Sequence, residues 1–193
     1  MRKLRGTVPL AKGDVESMDE KLNNFYELFS RRKSIREFSD KEIEEDKLNR
    51  ILEVLRRAQS AANCQPWHFI VLKKEGREEF NQLLKHDGFR KSPVIIVACA
   101  EPKKAWVRRY DNVNYAWVDV AIAITEMIAA CTAEGLGTCW VAAFDPDKAR
   151  KLLDIPSHIE IVALIPIGYP KTPLVREEKD RKKLGEILHY NRW

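Results

Sequence analysis

Apolar positions along this chain follow two spacings, one helical and one of short continuous runs. From about Met18 to Arg32, Leu22, Phe25, Tyr26 and Phe29 recur three and four residues apart, which predicts an amphipathic helix. Ser39-Asp40 punctuates the chain, and a second helix running to about Ala58 carries Ile43, Leu48, Ile51, Leu52 and Leu55 on one face. His68–Leu72, Val94–Cys99, Thr138–Ala143 and Ile159–Ile167 read as strands, with a charged helix near 76–85 between the first two. Asp119–Glu134 is apolar almost all round, the pattern of a helix buried in the middle of a molecule, and Gly135 and Gly137 stop it. Asp145-Pro146 opens a further short helix through N-cap and first-turn preferences. The alternation predicts an α/β or α+β domain on a single sheet. Residues 1–17 show no periodicity and read as an arm, and 101–117 scatters Trp106, Tyr110, Tyr115 and Trp117 among polar residues without declaring an element. The tail is too apolar at Leu184, Ile187, Leu188, Tyr190 and Trp193 to stay uncovered, so it calls for a docking surface, a partner subunit being one.

Composition adds limits. A chain of 193 residues supplies one substantial core, and 45% hydrophobic content argues against disorder. No apolar run approaches the roughly 20 uncharged residues that span a bilayer, and no secretory pattern follows the basic first residues. A cytoplasmic protein without membrane attachment is expected. The net charge of +5 is interspersed rather than blocked, and an anionic cofactor accounts for it as well as nucleic acid does. Cys64, Cys99, Cys131 and Cys139, with the scattered histidines, form no zinc pattern. They read as buried small hydrophobes, Cys131 and Cys139 being the pair to watch for redox chemistry.

Three segments carry candidate chemistry. Arg31-Arg32-Lys33-Ser34-Ile35-Arg36 closes the first helix, where cations complement the macrodipole and commonly stay solvated. The same residues suit an anion clamp, because arginine binds phosphate bidentately and serine adds a donor; Lys179 and Arg181 could complete it. Ser60-Ala61-Ala62-Asn63-Cys64-Gln65-Pro66-Trp67 combines small residues with two amides, which fits either a polar turn or the edge of a heteroaromatic ring. Gly135–Phe144 lacks the spacing of a dinucleotide or P-loop fingerprint and reads as a helix end entering a strand, or as a strand end exposing backbone N–H groups. Neither a nucleophile elbow nor a metal-binding helix motif occurs, and the carboxylates fall mainly on exposed helical faces.

Taken in order, R-R-x-S-I-R-x-F at 31–38, S-x-x-N-x-Q-P-W at 60–67, G-L-G-T-C-W at 135–140, G-Y-P at 168–170, K-x-R at 179–181 and H-Y-N-R-W at 189–193 resemble the FMN-dependent nitroreductase family. The resemblance runs from about residue 24 to the end. It implies an α+β fold over 18–193, with a central mixed sheet flanked by helices and an intertwined homodimer holding its flavins at the interface. It assigns Arg32, Lys33, Ser34, Lys179 and Arg181 to the flavin phosphate and ribityl chain, with Arg31 and Arg36 assisting. Ser60, Asn63 and Gln65 would face the ring from the partner chain. Ala142 and Ala143 would bring backbone to the N5 side, although the family often has glycine or an acidic residue there. Trp106 and Tyr110 would contact the acceptor, or else pack a subunit interface. The implied chemistry is ping-pong hydride transfer from NADH or NADPH through flavin N5 to a small nitroaromatic or quinone-type acceptor, with no side chain as general acid or base. A non-catalytic flavin-binding regulator and a flavin-dependent dehalogenase or oxidase are the alternatives.

Overall fold

The computed structural model describes residues 20–176 and 178–193; the predicted arm, 1–17, lies outside them. In chain order the elements are α1 (Glu20–Arg31), α2 (Glu45–Arg57), β1 (Trp67–Lys73), α3 (Glu78–Asn81), α4 (Asp87–Lys91), β2 (Val94–Ala100), β3 (Val107–Arg108), β4 (Val113–Asn114), α5 (Ala116–Ala133), β5 (Gly137–Thr138), α6 (Pro146–Leu152), β6 (Glu160–Gly168) and α7 (Leu184–Ile187). Two compact units contain them: residues 32–174, and α1 with the segment from Val175 onward.

In the larger unit, β1, β2, β6 and β5 form a sheet in that order, every pairing antiparallel. The parallel component expected of a mixed sheet is confined to one bridge, Ser34 to Thr138. β2 is buried along its whole length because both faces are covered. Ile96, Ala98 and Ala100 join Leu48, Ile51 and Leu55 of α2 and Val120, Ala123, Ile124, Met127 and Cys131 of α5 in one core. Ile95, Val97 and Cys99 point the other way, to Phe80, Leu84, Phe89 and Ala149. The period of two along a strand makes this division. α5 is long and apolar enough to cross a membrane by length and composition, but here α2 and the sheet cover one side of it.

Three predicted elements come out differently. The strand expected at Thr138–Ala143 is paired only at Gly137–Thr138, followed by an isolated bridge from Val141 to Leu164. Leu164 aims both its N–H and C=O at Val141, at 2.9 Å each, so alternate residues of β6 face this edge; Pro166 is one of them and has no N–H to give. The ladder therefore breaks at Cys139 and Trp140. The charged helix at 76–85 is replaced by the short α3 and α4. Arg77, buried in front of α3, donates to the carbonyls of Leu72, Arg90 and Ser92 and ties this corner together. Segment 101–117 contains the β3–β4 hairpin.

Gly135, at φ +76°, ends α5 as expected, but Gly137 acts by proximity. A Cβ there would stand 2.6 Å from Ile35 Cγ1, so only glycine lets the 34–38 segment lie against β5. Ile35 N–H donates to the Thr138 carbonyl at 2.8 Å, and farther along Ser39 N–H donates to the Tyr169 carbonyl at 2.8 Å. Tyr169 in turn donates its hydroxyl to Glu44 at 2.5 Å and accepts from Lys47 at 2.8 Å, pinning the start of α2.

In the smaller unit, Lys179 donates to the Phe29 carbonyl, and His189 stacks on Trp193 at 4.3 Å. Leu22, Phe25, Tyr26 and Phe29 of α1, and Leu184, Ile187, Leu188, Tyr190 and Trp193, remain exposed in the single chain.

Gly137→Ala should lower stability by about 1–3 kcal/mol through overpacking against Ile35. Urea unfolding measures it.

Candidate functional site

The segment after α1 is extended, held to β5 on one side and to Tyr169-Pro170 on the other. That double attachment fixes the direction of the side chains between. Ile35 and Phe38 are buried, while Ser34 and Arg36 are exposed and Arg32 and Lys33 half-buried. Arg32 and Arg36 form no ion pair among the described residues. Cys139 marks how closely these groups gather. Burial raises its pKa, while Arg36, a hydrogen bond with Ser34, and Arg32 act in the opposite direction. Arg36, Cys139, Trp140, Ala142 and Ala143 also share the wall of a pocket of about 180 Å³ with Lys85, His86 and Phe89. The N–H groups of Ala142 and Ala143 make no hydrogen bond among the described residues. Cations and backbone N–H groups without a partner among the described residues thus line one recess, and Ser34 and Arg32 lie close to Cys139 on its wall.

Ser60, Asn63 and Gln65 lie in the loop between α2 and β1, built on a single 3-10 turn at Ala61–Asn63. Ala62, Asn63 and Gln65 have φ of 50°, 56° and 49°, left-handed values that cost non-glycine residues about 1–3 kcal/mol each. Such strain persists only where neighbours impose it. Ser60 Oγ accepts the Gln65 N–H at 3.0 Å, and Gln65 Nε2 donates to Asn63 Oδ1 at 3.0 Å. The third restraint comes from α5, where Asp119 Oδ1 accepts the Ala61 N–H at 2.9 Å. The Asn63 and Gln65 side chains are exposed, and among the described residues Gln65 Nε2 bonds only to the side chain and backbone carbonyl of Asn63.

The other predicted residues are placed as follows. Arg31 closes α1 with its Nε buried and unpaired among the described residues, and Arg181 is exposed beside Asp180 in the same unit. Lys179 caps the end of α1 through Phe29. Trp106 enters the β3–β4 hairpin with its edge on Tyr115, centroids 5.0 Å apart, and Tyr110 at the hairpin tip is 99% exposed. Two residues of this region escaped the sequence reading. Cys139 belonged to a quoted motif but carried no sign of its neighbours. Asp119 departs from the expectation that carboxylates sit on exposed faces, being 1% exposed; its only signal was a lone acid near the start of an apolar helix.

Residues 24–193 match the protein family described as "Putative TM nitroreductase". The "Putative NADH dehydrogenase/NAD(P)H nitroreductase" of Archaeoglobus fulgidus is 33% identical over 174 residues, spanning 84% of this chain and 94% of its own. A nitroreductase family protein from Clostridium difficile 630 superposes with a TM-score of 0.77 at 30% identity, covering 86% of this chain and 98% of that one. An FMN-dependent nitroreductase from Clostridium difficile R20291 superposes at 0.68 with 28% identity, covering 86% and 98%. The α+β architecture described above is the one these proteins share.

All four thiols are unbridged, and three are buried. Burial pushes Cys99 up to about 11 and raises Cys131 further, so neither is a thiolate near neutrality. A disulfide-forming thiol needs thiolate character and access, and the Cys131 and Cys139 pair has neither advantage. Ellman's reagent at neutral pH should label the half-buried Cys64 first, with Cys99 and Cys131 reacting only after denaturation. Cys64→Ser should remove the fast phase.

Proposed function

The chain belongs to the nitroreductase family, and from that premise we propose that it is an FMN-dependent NAD(P)H oxidoreductase reducing a small nitroaromatic or quinone-type acceptor. One observation carries the reading: Arg32, Ser34 and Arg36 converge beside Cys139 and the open N–H groups of Ala142 and Ala143, and among the described residues no carboxylate pairs with either arginine. Guanidinium and hydroxyl donors are the set a phosphate monoester requires, and unpaired backbone donors suit the edge of a flavin ring. The donor chemistry therefore fits FMN.

In this reading Arg32 and Ser34 hold the phosphate, assisted by Lys33 and Arg36. The cations also favour negative charge in the ring system, which is the electrostatic contribution of the protein. Ala142 and Ala143 admit the ring because neither has a side chain beyond Cβ. When bound, FMN supplies the two-electron relay between nicotinamide and acceptor. Trp106 and Tyr110 are the acceptor contacts, and no side chain acts as acid or base.

We further propose that the working form is a homodimer. The recess of about 180 Å³ is smaller than the roughly 300–1,000 Å³ of ordinary small-molecule sites, so one chain supplies only part of the enclosure. Ser60, Asn63 and Gln65 of a second copy complete it, and the exposed apolar residues of α1 and the C-terminal segment provide surface for the association.

The purified protein should be yellow, bleach when NADH or NADPH is added without oxygen, and recover colour with a quinone or nitroaromatic. A colourless protein that FMN cannot reconstitute overturns the reading; a yellow one that no nicotinamide reduces favours the non-catalytic alternative. Arg32→Ala with Ser34→Ala should weaken FMN binding by about tenfold or more, followed by flavin fluorescence. Sedimentation of the holoprotein at the mass of one chain would remove the dimer.

A further inference from the structure

The loop that presents Ser60, Asn63 and Gln65 is held in a conformation its residues do not prefer. Left-handed backbone at Ala62, Asn63 and Gln65 would relax in an unrestrained chain. The restraints within the loop, Ser60 to Gln65 and Gln65 to Asn63, tie it to itself but not to the rest of the fold. The link outward from its first turn is the Asp119 carboxyl group, reaching from α5 to the Ala61 N–H at 2.9 Å. Asp119 is 1% exposed in an otherwise apolar stretch, where a polar group is costly unless bonded. Its second oxygen, Oδ2, is buried with no partner among the described residues. A group kept there at such cost, with one bond directed at the loop, is spent on holding the loop in place.

We propose that Asp119 is a positioning residue for the flavin site, fixing the 60–65 loop so that its amide side chains are set before the cofactor arrives. The inference rests on the flavin reading above. α5 is the suitable anchor because its far end and middle are locked into the core by Ile124, Met127 and Cys131. The loop thereby takes its position from the most buried helix of the molecule. A side chain ordered in advance loses less entropy on binding, so the consequence falls on FMN affinity and ring geometry rather than on the electron transfer itself.

The bond can be cut from either side. Asp119→Ala removes the acceptor. Ala61→Pro removes the donor while leaving Asp119 and α5 intact, and the backbone accommodates it: Ala61 opens a 3-10 turn, and Ser60 before it is extended at φ −145°, ψ 156°, as a residue preceding proline must be. In the holoprotein each variant should weaken FMN binding by about tenfold and alter the visible circular dichroism of the bound flavin. The double variant should lose little more than either one, because both remove the same bond. Asp119→Asn retains a carbonyl-type acceptor and should recover most of the affinity. Hydrogen exchange of the flavin-free protein should show faster exchange across 60–65 in both single variants, with α5 beyond Met127 unchanged.

Wild-type FMN affinity in either folded single variant, or losses that simply add in the double variant, overturns the proposal. Should Asp119→Ala fail to fold, Ala61→Pro decides by the same readings, and a loss in Asp119→Asn as large as in Ala61→Pro would count against the bond. A wild-type protein that binds no FMN overturns the functional reading itself, and with it the flavin role of Asp119. Faster loop exchange with unchanged FMN affinity overturns only the positioning role.

Discussion

The burial of α5 is the constraint on which the remaining structure depends. Eighteen residues of largely apolar helix, Ala116–Ala133, have to be covered, and the sheet and α2 cover one side. Taking the apolar surface of α5 out of water is worth about 25 cal/mol per Å², so the helix, α2 and the β2–β6 pair act as one body. Two consequences follow at its ends. Gly135 turns the chain directly into β5, and Asp119 near its start reaches the 60–65 loop. Trp117, although its Nε1 donates to Glu160 of β6, and Val118 remain largely exposed.

At the β5 edge several separate sequence segments become one piece of structure. Ile35 bonds to Thr138, Ser39 to Tyr169, and Phe38 bridges to Pro170, so R-R-K-S-I-R, G-L-G-T-C-W and G-Y-P touch. Close approach at Gly137 is what permits the first of these contacts. The pairing breaks opposite Pro166 and resumes only as the single Val141–Leu164 bridge, so Ala142 and Ala143 do not carry the ladder on. Their N–H groups instead stay open beside Arg36. Tyr169 serves the same corner structurally, through Glu44 and Lys47, rather than by touching a ligand.

What was legible in the sequence is what local pattern controls. Helical spacing located α1, α2 and α5 to within a few residues, apolar runs located β1, β2 and β6, and Asp145-Pro146 marked the start of α6, whose cap accepts from Asp147 and Lys148 N–H. The ordered motifs identified the family, and they contained Ser34 and Arg36, two of the groups that gather beside Cys139. The misreadings share a cause. Thr138–Ala143 has strand composition, yet whether it pairs depends on Pro166, a residue more than twenty positions away that becomes its neighbour only in the sheet. The expected 76–85 helix is a single turn, α3, and Arg77 before it is held by carbonyls of β1 and of the end of α4, partners that lie outside the local pattern.

The sequence by itself determined most of the elements and the family, because periodicity and motif order are properties of neighbouring residues. Only the tertiary structure decided which of these residues meet. It set Cys139 beside Ser34 and the arginines, made Asp119 the buried partner of Ala61, and left the N–H groups of Ala142 and Ala143 without a partner among the described residues. Those outcomes depend on close approach between segments far apart in the chain, as at Gly137, where the absence of a Cβ lets Ile35 lie against β5.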